Sequence, residues 1–447
     1  MALISTNKRV LKEVLSVCPE CITRGNAAYT EHGDNSVWLE KTCPQHGIFA
    51  VPIWDSKQDF IKWTQPNTPQ FPVFPSKPQD KLCPYDCGLC VNHQQATCCV
   101  LLEVTSRCDL NCPVCFASSN ASGCDVPLQQ ISEWYDMLLA HGGPFNIQLS
   151  GGEPTMRDDL AELIRLGRDK GFSFFQLNTN GLRISRDPKY LQALADAGLN
   201  TVFLQFDSLQ SAANRALRGR DVISDKIQAI QNCGKFGLGV VLVPTVCRNI
   251  NDDQLGEILR FAASQMPVVR GVHFQPLAFF GRVSGLERKS SHITIPQLLN
   301  DIQQQTDGAL QRTDFLPAGA EHPLCSFHAS YTVRGNHWSL QQMEKGSCCC
   351  GGSDAARKKV AQQWSASPQR EISACCCGTD TSTLDAFLTD YQSHTLAISG
   401  MAFQDVWSLD LERLCRCYIH VVSPKGTLIP FCSYNLTAAD GTPLHRK

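Results

Sequence analysis

Three cysteines fall within the stretch CDLNCPVC, at Cys108, Cys112 and Cys115. A structural zinc ion takes four ligands, and disulfides consume thiols in pairs. Three thiolates instead suit a cubane [4Fe–4S] cluster in which three irons are held and the fourth stays open to a chelating substrate or cofactor. The competing accounts are a zinc knuckle completed by a distant residue and incidental buried thiols. Further along, LSGGEPT places Gly151, Gly152 and Glu153 at the end of an apolar run. Glycines there allow the backbone close to a bound amine or carboxylate, and Glu153 can accept hydrogen bonds from an ammonium group.

The chain holds 24 cysteines in 447 residues. Its start has no long apolar segment of the kind that directs export. The expected compartment is therefore the reducing cytoplasm, where closely spaced cysteines are metal ligands rather than disulfides. CPEC and CPQHG supply Cys18, Cys21, Cys43 and His46. A CxxC pair closed by a second knuckle is a mononuclear zinc or iron signature. If His46 is only a turn residue, the fourth ligand comes from elsewhere. CPYDCGLCVNHQQATC supplies Cys83, Cys87, Cys90 and Cys98, which can fully ligate an auxiliary [4Fe–4S] cluster, with zinc as the competing occupant. Two triplets, at 348–350 and 375–377, fit none of these sites. They suit vicinal disulfides, a soft metal, redox thiols, or a loop that lends one ligand.

Regular elements must position these loops. The strand-like runs VLLEVT (100–105), FNIQLS (145–150), FSFFQLN (172–178), TVFLQFD (201–207), GVVLVPTV (239–246) and GVHFQP (271–276) alternate with amphipathic segments. Several of those segments end in Gly, a common helix stop. Six such units predict an α/β fold built on a partial (β/α)6 barrel, with ligands at the C-terminal strand ends. The chain then divides into a Cys/His metal domain with a Pro-rich linker (1–80), an auxiliary-cluster segment (81–99), the barrel (100–282) and a Cys-rich C-terminal region (283–447).

CDLNCPVC and GGEP together resemble the radical S-adenosylmethionine (SAM) superfamily over about residues 100–282. The resemblance implies that the amino and carboxylate groups of SAM chelate the open iron. An electron from the cluster then cleaves a carbon–sulfur bond to give a 5′-deoxyadenosyl radical. Val114 precedes the last cysteine where the superfamily often has an aromatic, and Phe116 follows it. By similarity, Asn178, Asp207 and Ser208 are placed to touch the ribose or methionyl part of SAM. Arg218 or Arg220 pairs with its carboxylate, while Thr245 and the FQPL run near Phe274 approach the adenine. Each of these equally suits a satisfied strand-end polar group. The wider order CPxC…CPxHG, CPxDCGLCxxHxxxTC, EVTSRCxLxCPVCFA and RCxIH…IPFC resembles a branch containing the archaeal tetraether-lipid synthase and pterin methyltransferase-like proteins. That branch implies a third cluster from Cys325, Cys417 and Cys432, with a fourth ligand that the sequence does not identify. Ala320 stands where another cysteine is expected, Tyr418 follows Cys417, and Cys415 is the available substitute.

With 40 Lys and Arg against 42 Asp and Glu, the net charge is −2 and no basic stripe forms, so nucleic acid is not an expected partner. No apolar run approaches the roughly 18 residues of a membrane-spanning helix. The leading functional expectation is radical SAM chemistry that alkylates, or forms a C–C bond at, an unactivated carbon. The second is a radical SAM methyltransferase or maturase acting on a pterin, peptide or thiol-bound group. From another class, the chain is a non-catalytic iron–sulfur electron-transfer or metal-delivery protein. The enzyme readings imply a small-molecule, lipid or peptide substrate and an electron donor such as a flavodoxin or ferredoxin.

Overall fold

The computed structural model describes residues 8–65, 82–317, 319–341, 352–365 and 394–446. Both cysteine triplets, 348–350 and 375–377, lie outside these residues. The chain begins with an antiparallel meander of β1 (Arg9–Val17), β2 (Arg24–Glu31), β3 (Val37–Cys43) and β4 (Gly47–Trp54), followed by α1 (Lys57–Trp63). Period-two alternation in β3 buries Val37, Leu39, Lys41 and Cys43 on one face. A lysine on that face is tolerated because its ammonium donates to the Val406 carbonyl at 3.0 Å. Tyr29 Oη, also buried, donates to Asp410 Oδ2 at 2.8 Å. The meander is thereby fastened to the C-terminal part of the chain.

Six parallel strands follow in chain order: β5 (Cys99–Thr105), β6 (Asn146–Gly151), β7 (Phe175–Thr179), β8 (Thr201–Gln205), β9 (Gly239–Val243) and β10 (Val269–Pro276). Their crossover helices are α2 (Leu128–Ala140), α3 (Leu160–Asp169), α4 (Leu182–Arg186), α5 (Pro188–Asp196), α6 (Ser211–Arg218), α7 (Ile223–Lys235) and α8 (Leu255–Ser264). Helix α3 shows why they pack: Leu160, Leu163, Ile164 and Gly167 recur at helical spacing and are all buried. Burying each such leucine or isoleucine contributes about 1.5–3 kcal/mol. Every strand expected from the sequence is present. The third starts later, at Phe175, because Phe172 leaves the pleat to pack its ring 5.1 Å from that of Tyr135.

The region after 282 lacks a βα rhythm, yet it extends this same sheet. After α9 (Ile295–Gln305) come β11 (Ser326–Arg334), β12 (His337–Leu340), α10 (Gly352–Trp364) and β13 (Thr395–Met401). Beyond them lie α11 (Leu411–Cys415), β14 (Ile419–Val422) and β15 (Leu428–Pro430). Strand β13 adds in parallel to β10, with His273 opposite Ser399. Strand β14 adds in parallel to the opposite edge, on β5, with His420 opposite Val100. Antiparallel partners, β11 on β13 and β15 on β14, cap the two sides. These strands lack a regular repeat because long connections, not repeated helices, deliver them to the sheet. Helix α10 sits at the N-terminal end of the barrel: Asn146 Nδ2 donates to the Arg357 carbonyl at 3.1 Å, and the Trp364 and Phe203 ring centres are 4.7 Å apart. Among the described residues no helix is long and apolar enough to cross a membrane.

Candidate cluster and cofactor site

The loop carrying Cys108, Cys112 and Cys115 leaves β5 at the C-terminal end of the barrel, and all three cysteines line one central cavity of about 270 Å³. Its position is over-determined by backbone contacts. The Gly152 N–H donates to the Thr105 carbonyl at 2.8 Å, and the Glu153 N–H donates to that of Arg107, also at 2.8 Å. A side chain on Gly151, whose φ is +132°, would meet Thr105 O at 2.1 Å, and one on Gly152 would meet Arg107 O at 2.2 Å. The glycines therefore serve the protein first. They let the end of β6 lie against the three residues that launch the cysteine loop. From the far side, Arg282 Nε donates to the Cys112 carbonyl at 2.7 Å, and Val114–Cys115 pair with Arg282–Val283. Sequence reasoning did not single out Arg282. Its only signal is its place just past the sixth strand.

Glu153 is 2% exposed, and hydrogen bonds occupy both its oxygens. Oε1 accepts from Thr155 N, Thr155 Oγ1 and Thr179 Oγ1, and Oε2 accepts from Asn180 N at 2.6 Å. Burial raises its pKa, and these donors pull it back down. The carboxylate thus ties the end of β6 to the end of β7, in a place where the sequence had suggested a partner for an ammonium group.

Asp207, Arg218 and Thr245, named separately from the sequence, form one buried network. Arg218 Nε and Nη2 donate to the two Asp207 oxygens, each at 2.6 Å. Nη2 also reaches Thr245 Oγ1 at 2.8 Å, and Nη1 donates to the Val114 carbonyl at 2.9 Å. The Thr245 N–H closes the circuit on Asp207 Oδ1 at 3.0 Å. Such bidentate pairing is strong and directional, and here it links strand ends to the cysteine loop. Ser208 stands apart, its hydroxyl donating to Gln254 and accepting from the Gln210 N–H, so it shapes the turn into α6. Asn178 faces the cavity within a chain of carboxamides. Arg220 is exposed.

Burial pushes the Cys108 thiol up to about 12 and raises that of Cys112, with Arg218 opposing the rise at Cys112. Such thiols are ionised by a coordinated metal rather than by their surroundings. The three cavity-lining sulfurs, backed by Arg218, are a donor set that fits an iron–sulfur cluster with one open corner.

At the N-terminal meander, the ligand atoms of Cys18, Cys21, Cys43 and His46 lie within 4.8 Å of one another, the spacing a single tetrahedral ion requires. His46 Nδ1 is 3.5 Å from both Cys18 Sγ and Cys43 Sγ. The Gln45 backbone N–H holds the Cys43 thiol down at about 6, favouring the thiolate a metal needs. Cys43→Ser is expected to lose one equivalent of bound metal and loosen the meander, since structural metal binding is folding free energy here. Elemental analysis with proteolysis of the 8–65 segment checks this.

Elsewhere the structure brings a further cysteine near one of the expected ligand sets. The neighbouring thiols of Cys415 and Cys87 draw Cys83 strongly toward the thiolate, to about 3. The Cys415 thiol in turn feels Cys83 and Cys90. A backbone hydrogen bond from Gln94 N to the Cys415 carbonyl, 2.7 Å, ties the two segments together. Cys98 turns the other way: it lines the barrel cavity, and its charged neighbours are Glu321 and Arg357. Cys415 thus lies against the segment that carries Cys83, Cys87 and Cys90, and stands beside Cys98 as a further candidate for their fourth partner. The reason is topological, because α11 ends against the 83–98 segment, whereas Cys98 is already entering β5. Cys325 and Cys417, both half-buried, and the buried Cys432 form a separate set in which Cys417 feels Cys325, and Cys432 feels both. Arg413 Nη2 approaches Cys325 Sγ at 3.6 Å.

Residues 102–262 match the family model of the radical SAM superfamily, and residues 10–55 match the HMPTM N-terminal zinc ribbon domain. The chain is 34% identical, over 475 residues, to the 7,8-dihydro-6-hydroxymethylpterin dimethyltransferase of Methanocaldococcus jannaschii, covering 95% of this chain and 93% of that protein. It is 30% identical over 181 residues to the GTP 3′,8-cyclase of Nautilia profundicola, covering 39% of this chain and 55% of the cyclase. Among solved structures, Streptococcus suis SuiB bound to precursor peptide SuiA aligns with a TM-score of 0.39 and 15% identity, over 48% of this chain and 46% of that one.

Proposed function

We propose, since this chain belongs to the radical SAM superfamily, that it transfers methyl groups to a carbon of a small uncharged nitrogen heterocycle of the pterin class. The observation that carries this reading is the extent of the dimethyltransferase match, which covers 95% of the chain and so reaches well beyond the barrel. Of the two enzyme readings drawn from the sequence, this supports the second better than alkylation at an unactivated carbon. The two overlap chemically, because methylating a carbon also forms a C–C bond.

The cavity supports the substrate class. Among the described lining residues the charged side chains are Glu153 and Arg218, and both are consumed by internal partners. A triphosphate such as the cyclase relatives' GTP would need unpaired cations there. A neutral heterocycle would not.

When bound, the cluster and SAM would supply the reducing electron and the radical or methyl group. The chain's own part is positional. Cys108, Cys112 and Cys115 are the residues that would hold the cluster, and Arg282 and Arg218 fix the loop through the Cys112 and Val114 carbonyls. Cys83, Cys87, Cys90 and Cys415 suit an auxiliary cluster beside it, with a flavodoxin- or ferredoxin-type donor outside. Cys415→Ser is expected to lower bound iron and labile sulfide by about one cluster, while Cys98→Ser leaves both unchanged. The reverse result would restore the set read from the sequence.

The function is tested by anaerobic reconstitution with iron and sulfide, followed by reduction with methyl-labelled SAM and 7,8-dihydro-6-hydroxymethylpterin. Mass spectrometry is expected to show labelled methyl groups on the pterin. Release of 5′-deoxyadenosine with an unmodified pterin would overturn the methyltransferase reading while leaving radical SAM chemistry in place.

A further inference from the structure

Below the cysteine loop the cavity continues toward helix α10, and its wall changes character. Three carboxamides from β6 and β7 form a chain. Gln176 Nε2 donates to Asn178 Oδ1 at 2.7 Å, and Asn178 Nδ2 donates to Gln148 Oε1 at 3.3 Å. Gln148 in turn lies beside the Cys99 thiol. One end of this chain is loose. Gln176 is 0% exposed and lines the cavity, yet its Oε1 finds no hydrogen-bond partner among the described residues. Buried carboxamide oxygens in native proteins are almost always satisfied, and an exception calls for an occupant.

The same region has an aromatic floor. Trp364 of α10 lies 4.7 Å from Phe203 and 6.2 Å from His273, centre to centre, and Phe203 lies 5.9 Å from His273. Burial lowers the His273 imidazole to about 4, so it is neutral at physiological pH, and its Nδ1 is engaged by Ser399 Oγ at 2.9 Å. No net charge faces a ligand here. Because the Gln176 nitrogen is already donating to Asn178, what Gln176 offers is an acceptor, so the ligand's edge must donate.

We infer that the lower cavity is a ring-recognition subsite for an uncharged fused nitrogen heterocycle: Gln176 Oε1 accepts from a ring N–H or exocyclic amine, and Trp364 packs against the ring. The inference rests on the methyltransferase reading and deepens it by naming the residues that read the substrate. Trp364 comes from outside the six βα units, so the floor is a feature that the barrel alone would not provide. A planar ring with donors along one edge, as in a pterin, meets both requirements. An aliphatic chain meets neither, since it leaves the acceptor unpaired.

Equilibrium binding separates this subsite from the function it rests on. The probe is 7,8-dihydro-6-hydroxymethylpterin, titrated by its fluorescence into full-length, cluster-reconstituted, SAM-loaded protein without oxygen. Gln176→Leu is expected to weaken binding about tenfold, the size of one lost buried hydrogen bond. Gln176→Glu keeps an acceptor oxygen in place and is expected to recover most of that loss. Trp364→Ala is expected to weaken binding to a similar degree, with SAM affinity unchanged in all three. Wild-type binding that neither Gln176→Leu nor Trp364→Ala alters would overturn the subsite and spare the methyltransferase reading, as would a water satisfying Gln176. A parallel fall in SAM affinity would also overturn it, by showing that these residues only hold the barrel together. Failure of the wild type to bind the pterin would overturn the pterin reading and the subsite with it.

Discussion

Cys112→Ala is expected to reduce cleavage of SAM to 5′-deoxyadenosine by at least about 10³-fold, because it removes the reductive route and not one interaction along it. Cys112 is the most deeply buried of the three loop cysteines and packs with Leu110, Leu182 and Val222. Alanine fits among these apolar neighbours, so the fold should survive while the loop's ligand set falls to two. Cys124 provides the control: it is exposed on the segment that returns from the loop. Cys124→Ala should retain full cleavage. The measurement is 5′-deoxyadenosine by liquid chromatography after reduction, normalised to bound iron. Full activity in Cys112→Ala would remove the loop from the chemistry.

The second large effect is on stability. Arg218 and Asp207 form a pair whose side chains are 5% and 0% exposed. Removing one partner leaves the other charged and buried, which costs about 3–5 kcal/mol. Arg218→Met is therefore expected to lower the urea midpoint markedly and to release the Val114 carbonyl, loosening the cysteine loop. The double variant Asp207→Asn with Arg218→Met removes both charges and should regain much of the stability. It should not regain cluster retention, since the bond to Val114 stays broken. Equal destabilisation of the single and double variants would show that the charges are not coupled.

Much of the barrel was legible because βα repetition is a local signal: each strand is a short apolar run and each helix shows one buried face. The three-cysteine loop was legible for a similar reason, as its ligands sit close together in the chain. The partnerships at the site were not. Asp207, Arg218 and Thr245 each looked like a strand-end polar residue facing a cofactor, and only the fold reveals that they bind one another. Gly151 and Gly152 suggested an approach to ligand, whereas the backbone they approach is that of Thr105 and Arg107. The approach of Cys415 to the 83–98 segment was hidden by distance: more than three hundred positions separate it from Cys83, and spacing rules describe residues that are neighbours in the chain. Strands β13 and β14 were missed because short strands delivered by long connections carry no periodicity to detect.

Those two strands have a consequence for how the protein is made. The barrel emerges from the ribosome with the outer edges of β5 and β10 unpaired, and the strand that covers each edge is encoded after residue 394. Throughout that interval the nascent core presents two bare edges, the arrangement most prone to pairing with the wrong chain. Synthesis of the last stretch then covers both edges and brings Cys415 to the cysteines waiting near residue 90. A ribosome stalled before β13 would hold a barrel that neither side protects. Expression of this chain should accordingly depend on chaperone capacity and on the rate of translation through its final segment.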